Sequence, residues 1–142
     1  MSWPADEQLL ERNLRALSRT SPKTARAVGD AQARPDASFE ATGDGVPTCR
    51  ITIDGRTKAL ASSRHPLREA ERLAEQADPS QAAIFSVLGF GLGYHVEAIA
   101  QRLAGAGLVL CYEPDVELLR AVFERVDCTA CFDDEKVIVL HE

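Results

Sequence analysis

Aromatic residues are scarce in this chain: they make up 6% of 142 residues, with a single tryptophan. Any core must therefore be filled by aliphatic side chains and alanine. Positive charge is also in deficit, since 16 Lys and Arg against 22 Asp and Glu leave a net charge of −6. That balance disfavours nucleic acid or an anionic membrane as main partner, because both call for positive potential. No apolar run approaches the roughly 20 residues of a membrane-spanning helix. The stretch from Met1 to Leu10 contains Asp6 and Glu7 and no apolar segment of a secretory signal. These absences leave a cytoplasmic protein of one domain, or of one small domain plus part of another.

Known catalytic signatures are missing too. No Gly-x-Ser-x-Gly, His-Glu-x-x-His or Walker A pattern occurs. Cys49 and Cys111 lie in apolar, strand-like runs and read as buried thiols. Cys128 and Cys131 form one C-x-x-C, but zinc takes four ligands and no second pair follows; His141 is a third ligand in principle only. A redox C-x-x-C opens a helix, whereas this one follows a helix, within Asp127–Asp134. Reduced structural thiols and no metal site are the expectation. Neither His65 nor His141 has a carboxylate or cysteine at ligand spacing.

Periodicity organises the chain into three stretches. In residues 1–35, Leu10, Leu14 and Leu17 recur at helical spacing and predict a helix from Glu7 to Ser18. Ser21-Pro22 has the form of an N-cap and first helical position for a second short helix, stopped near Gly29. The apolar stripes are thin, so a loosely held arm is expected, with a linker from Asp30 to Pro35. Residues 36–80 read as a meander plus a helix. Phe39 and Ala41 alternate with polar neighbours, Gly43-Asp44-Gly45 turns, and Cys49, Ile51 and Ile53 share one strand face opposite Arg50 and Thr52. Asp54-Gly55 is a hairpin signal, and Thr57 to Ala61 returns. Pro66 opens a helix lined by Leu67, Ala70, Leu73, Ala74 and Ala77, with its charges outward, ended by Asp78-Pro79-Ser80.

Residues 81–142 alternate strand and helix. From Ala82 on, Ile84, Phe85, Val87 and Leu88 form a near-continuous apolar strand, as a buried parallel strand should. A helical stripe follows at Val96, Ile99, Ala100 and Leu103, broken by Gly105 and Gly107. Leu108 to Tyr112 is a second strand. A helix with core face Leu119, Val122, Phe123 and Val126 leads to a third strand at Val137 to Leu140. Right-handed crossovers give strand order 3-2-1. The fold class is therefore α/β: half of a Rossmann-like parallel sheet, preceded by a small β meander and N-terminal helices. In that order one side of Ile84–Leu88 stays unpaired, so coverage by the N-terminal region or pairing with a second copy is expected.

The candidate site is Gly89-x-Gly91-x-Gly93 between the first of these strands and its helix. Glycines there permit a tight turn and close approach of a ligand to the helix N-terminus. Glu113, 20 residues after Gly93, ends the next strand where Rossmann-type sites place a carboxylate for ribose hydroxyls. The dinucleotide spacing is broken, because the third glycine comes one residue early. Gly-x-Gly-x-Gly with a downstream acid is closer to the S-adenosylmethionine methyltransferase pattern. The alternative is a glycine turn kept for strand-to-helix packing. Tyr94 and His95 occupy the first helical turn, where His95 is either a donor to an anionic ligand or a partly exposed surface residue.

The run from Leu60 through Ser62, Arg64, His65 and Pro66 to Arg72, then Val87–His95 with its Gly-x-Gly-x-Gly-Tyr-His, then Tyr112-Glu113-Pro114-Asp115, resembles the N-terminal region of motility accessory factor (Maf) proteins. The resemblance covers about Phe39 to Glu142. Maf proteins are bacterial flagellin glycosyltransferases that transfer nonulosonic acids from a CMP-sugar to flagellin Ser or Thr. Their catalytic domain follows the region seen here, so the resemblance implies a non-catalytic or accessory domain without the transferase core. Gly89, Gly91, Gly93, Tyr94, His95, Glu113 and Asp115 match family motif positions and are the candidate cofactor-binding set. The ligand implied is a nucleotide or nucleotide-sugar, ahead of S-adenosylmethionine. The partners implied are the remainder of the parent glycosyltransferase and flagellin, with self-association open. The competing readings are a degenerate methyltransferase-like nucleotide-binding domain and a structural interaction domain.

Overall fold

The computed structural model describes residues 2–78, 80, 83–104 and 106–142. Two helices open the chain, α1 (Glu7–Ser18) and α2 (Pro22–Asp30). The Asp6 carboxylate accepts from the Gln8 and Leu9 N–H groups and so starts α1. An antiparallel sheet follows, β1 (Ser38–Ala41), β2 (Pro47–Ile53) and β3 (Arg56–Ala59), in the order β1-β2-β3. Asp54 and Gly55, at φ 51° and 75°, make its second turn, as the Asp-Gly pair predicts. Helix α3 (Pro66–Ala74) leads to β4 (Ile84–Leu88), α4 (Tyr94–Leu103), β5 (Leu108–Tyr112), α5 (Val116–Phe123), a 3-10 turn at Thr129–Phe132 and β6 (Val137–Leu140). The second sheet is parallel, in the order β4-β5-β6, which is the 3-2-1 order read from the sequence.

Helices α1 and α2 are packed rather than loosely held. Leu17, Val28 and Asn13 are fully buried, and the pair lies against α5 and the 3-10 turn. Ser21 precedes α2 but does not cap it. Its Oγ accepts from Val139 N–H, while the Thr20 and Thr24 hydroxyls donate to the Val137 and Val139 carbonyls. Side chains of the helical hairpin thus close the outer edge of β6, the opposite edge from the one expected to need cover.

One face of the parallel sheet is buried at β5 and β6 and half-buried at β4, and the other is more exposed. Val109, Cys111, Val137 and Val139 point into a single core with Val96, Leu103, Leu119 and Val122 of α4 and α5. The alternate residues point away from that core. Leu88 is 87% exposed, Ile84 54%, Leu140 45% and Tyr112 43%. The strands therefore are not buried on both faces, because right-handed crossovers place α4 and α5 on the same side. The continuous apolar runs reflect a face that nothing among the described residues covers.

Smaller departures have local causes. Ile53 is exposed although Cys49 and Ile51 on its face are buried, since it sits at the hairpin end of β2. Leu67 and Leu73 are likewise exposed on α3, and its buried side is Pro66, Ala70 and Ala74. Helix α3 ends at Ala74, before the predicted stop, whose Pro79 lies outside the described residues. Gly105, read as a helix breaker, also lies outside them; the left-handed C-cap of α4 is Ala104, at φ 47°.

Candidate functional site

The Gly89–Gly93 turn leaves the C-terminal end of β4 and delivers the chain to α4. All three glycines have left-handed φ: 90° at Gly89, 54° at Gly91 and 83° at Gly93. Gly93 stands at the N-cap position of α4, so no side chain caps that helix. A Cβ at Gly89 would meet nothing within 4 Å, and one at Gly91 would meet only His95 Cε1 at 3.6 Å. A Cβ at Gly93 would lie 2.8 Å from the Phe90 ring. The first two glycines thus leave open space, and the third allows close packing.

Glu113 reaches this turn from the end of β5. It is buried, and its two oxygens hold two backbone groups: Oε1 accepts from Phe90 N–H at 3.1 Å, and Oε2 from Asp115 N–H at 3.2 Å. Gly89 N–H donates to the Tyr112 carbonyl beside it. The carboxylate therefore joins the glycine turn to the Glu-Pro-Asp turn, so the motifs at the ends of β4 and β5 form one unit. Asp115 Oδ1 caps α5 by accepting from Leu118 N–H, and Oδ2 pairs with Arg34 at 2.6 Å. Arg34 also grips Asp36, and both partners raise its pKa; the same contact holds the Asp36 carboxyl below the usual range.

Tyr94 and His95 serve the same unit. Tyr94 is buried and its hydroxyl donates to the Pro47 carbonyl at 2.6 Å, tying α4 to the meander. Burial pushes its pKa up. His95 Nε2 lies 3.0 Å from the Gly89 carbonyl, which can only accept, so Nε2 carries the proton. Burial lowers the imidazole pKa, which keeps this tautomer neutral near pH 7.

The C-x-x-C supports the turn from below. Cys128 and Cys131 are buried free thiols whose sulfurs lie near the Leu92 and Gly93 carbonyls, at 3.8 and 3.5 Å. Burial pushes both thiols well up, and Cys49 and Cys111 to about 12, so thiolate chemistry is suppressed. His65 pairs with Asp44 at 3.2 Å, and His141 Nδ1 lies 3.0 Å from the Thr24 hydroxyl.

All seven residues read from the motifs thus lie in one region at the C-terminal ends of β4 and β5. Arg34 and the Pro47 carbonyl join them from the linker and the meander and were missed by the sequence reading. Arg34 had no motif around it, and a carbonyl partner leaves no trace in side-chain identity. Removing the Glu113 carboxylate should release both turns. Glu113→Ala is expected to lower stability by about 2–3 kcal/mol, since hydrogen bonds to a charged group contribute roughly 1.5–3 kcal/mol. Glu113→Gln should lose less, because the amide oxygen still accepts one N–H. Urea denaturation of the two variants checks the ranking.

No known family matches the chain, and no curated protein matches it. Among solved structures it is similar to the crystal structure of MNMC2 from Aquifex aeolicus, with 18% identity and a TM-score of 0.43. The match covers 97% of this chain and 50% of that one, so the chain spans about half the length of that protein. No helix among the described residues is long and apolar enough to cross a membrane.

Proposed function

We propose that this chain is a cytoplasmic accessory module of a Maf-like flagellin glycosyltransferase, one that folds and docks the parent enzyme rather than carrying its chemistry. The observation that supports this reading is how the motif side chains are used. Tyr94, His95, Glu113 and Asp115 each bond to protein backbone or to Arg34. Side chains held in this way shape a scaffold and leave no paired acid and base aimed at a substrate. In this reading the parent transfers a nonulosonic acid from a CMP-sugar to flagellin Ser or Thr.

A second reading is an accessory nucleotide site at the glycine turn, favoured by the open space over Gly89 and Gly91 and the α4 N-terminus without a side-chain cap. Two measurements separate the readings. Incubated with a CMP-nonulosonic acid and flagellin, the parent polypeptide should add the sugar mass to flagellin, and residues 1–142 alone should not. Calorimetric titration of the module with CMP, adenosine and S-adenosylmethionine should give no heat of binding. Binding of CMP that Gly91→Val abolishes would establish the nucleotide site. Binding of S-adenosylmethionine, with methyl transfer by the parent, would replace the glycosyltransferase reading.

A further inference from the structure

The two edges of the parallel sheet differ. At β6, the Thr20 and Thr24 hydroxyls and Ser21 Oγ take the Val137 carbonyl and both backbone groups of Val139, which face away from β5. A further strand could lie there only by displacing the helical hairpin. At β4, Leu108 N–H donates to the Ala83 carbonyl and Gly89 N–H to Tyr112. Backbone groups alternate along a strand, so the N–H and C=O groups of Ile84, Ser86 and Leu88 face outward. Among the described residues no strand pairs with β4 on that side. The more exposed face of the sheet is uncharged from one edge to the other. Leu88, Tyr112 and Leu140 stand in register as one row across it, and Ser86, Leu110 and Ile138 as the next. All-parallel sheets occur almost only with both faces covered.

We propose that one continuous segment of the same polypeptide, following residue 142, covers both features: a helix across the bare face, then a strand parallel to β4 at its open edge. This rests on the reading of the chain as part of a longer parent, and on nothing in that reading about sugar transfer. With the β6 edge closed, a strand that joins this sheet after β6 has to join at β4. Its connection then runs in the opposite sense to the links from β4 to β5 and from β5 to β6. Crossovers between parallel strands are almost always right-handed, so reversing the sense moves the connection to the other face of the sheet. Helices α4 and α5 hold the buried face, and the connection therefore crosses the bare one. Such a link takes about a dozen residues or more and is usually an α-helix. The helix should turn apolar side chains toward the row of Leu88, Tyr112 and Leu140, and the strand should favour β-branched residues. A second copy is the poorer occupant. Paired at the edge it would leave the face bare, and packed on the face it would leave the edge unpaired. An antiparallel strand linked past the end of the sheet would also leave the face bare.

The test uses the parent polypeptide, and a reading frame that stops at Glu142 overturns the proposal at once. In the parent, the amides of Ile84, Ser86 and Leu88 should exchange with deuterium about 100-fold or more below the rate of a free peptide. That protection should be the same after tenfold dilution. A benzophenone side chain in place of Tyr112 should crosslink, within one molecule, to a single helical face in the roughly 30 residues after Glu142. If that variant fails to fold, Leu88→Cys reads the same cover: maleimide should label it at least tenfold more slowly in the folded parent than in urea. Free exchange at the three amides, or protection lost on dilution, overturns the proposal. So do crosslinks that join two molecules or that lead back into residues 1–142. None of these readouts needs a sugar donor or flagellin. A parent without transferase activity therefore ends only the glycosyltransferase reading, and an active transferase whose β4 amides exchange freely ends only this one.

Discussion

Gly93→Ala should destabilise this protein by about 3–4 kcal/mol, and Gly93→Val by more. At φ 83° an L residue is strained, at a cost of roughly 1–2 kcal/mol. The added Cβ would also stand 2.8 Å from the Cε1 and Cζ atoms of Phe90 and 3.4 Å from Cys128 Sγ. The Phe90 ring has little room to yield. It lies 5.9 Å from Phe123, edge to face, and 6.2 Å from Phe132, stacked, and all three rings are fully buried. Overpacking of such a site costs roughly 1–3 kcal/mol. For a chain of this size the loss corresponds to a fall of about 10–15 °C in melting temperature. Gly91→Ala is the control: its φ is also left-handed, but its Cβ meets only His95 Cε1 at an ordinary contact distance. About 1 kcal/mol is expected there, from backbone strain alone. Equal losses at the two positions in thermal melts would mean that the Phe90 ring moves aside, contrary to the packing.

The contrast between Gly91 and Gly93 shows where sequence reading ends. The motif marks three glycines alike, and nothing in the pattern ranks them. The ranking comes from Phe90, which is their neighbour in sequence but is pinned by Phe123 and Phe132 from a later helix and turn. The element order, α1 at Glu7–Ser18 and the 3-2-1 sheet were legible because leucine spacing, apolar runs and crossover handedness are local or generic rules. Coverage of the sheet was legible only through crossover handedness, which puts α4 and α5 on one side, and not through the strands themselves. An apolar strand looks the same whether its second face is buried or bare, and only the side on which α4 and α5 pack distinguishes the cases. The convergence of Glu113 on the glycine turn was half legible. Its place at the strand end was read correctly, while its two backbone partners depend on turn geometry that residue identities do not encode. Ser21 illustrates the same limit, since its cap-like sequence position is overridden by the free N–H of Val139 on β6.

Asn13→Leu is expected to cost about 3–5 kcal/mol, although leucine would continue the apolar stripe of α1. Position 13 lies three residues after Leu10 and four before Leu17, on the inward face of α1. A polar residue there was the one visible signal of its role. The side chain is fully buried and makes three hydrogen bonds. Nδ2 donates to the Phe123 carbonyl at 3.0 Å and to the Val126 carbonyl at 2.8 Å, and Oδ1 accepts from Cys128 N–H at 2.9 Å. These are the groups left over where α5 ends and the chain turns toward the C-x-x-C, so one amide completes a helix terminus more than 100 residues away. Leucine would leave one buried donor and two buried acceptors without partners, each roughly 1–3 kcal/mol, offset in part by added apolar burial. Asn13→Asp separates hydrogen bonding from size. The carboxylate can still accept from Cys128 N–H but faces two carbonyls, which raises its folded pKa above the unfolded value. Its stability relative to wild type should therefore be greatest at low pH, where a protonated carboxyl can donate to one carbonyl, and should fall as pH rises toward 7. Urea titrations of wild type and both variants near pH 4 and pH 7 test this. A pH-independent difference for Asn13→Asp, or a loss under about 1 kcal/mol for Asn13→Leu, would show that α1 does not seat its amide on the end of α5.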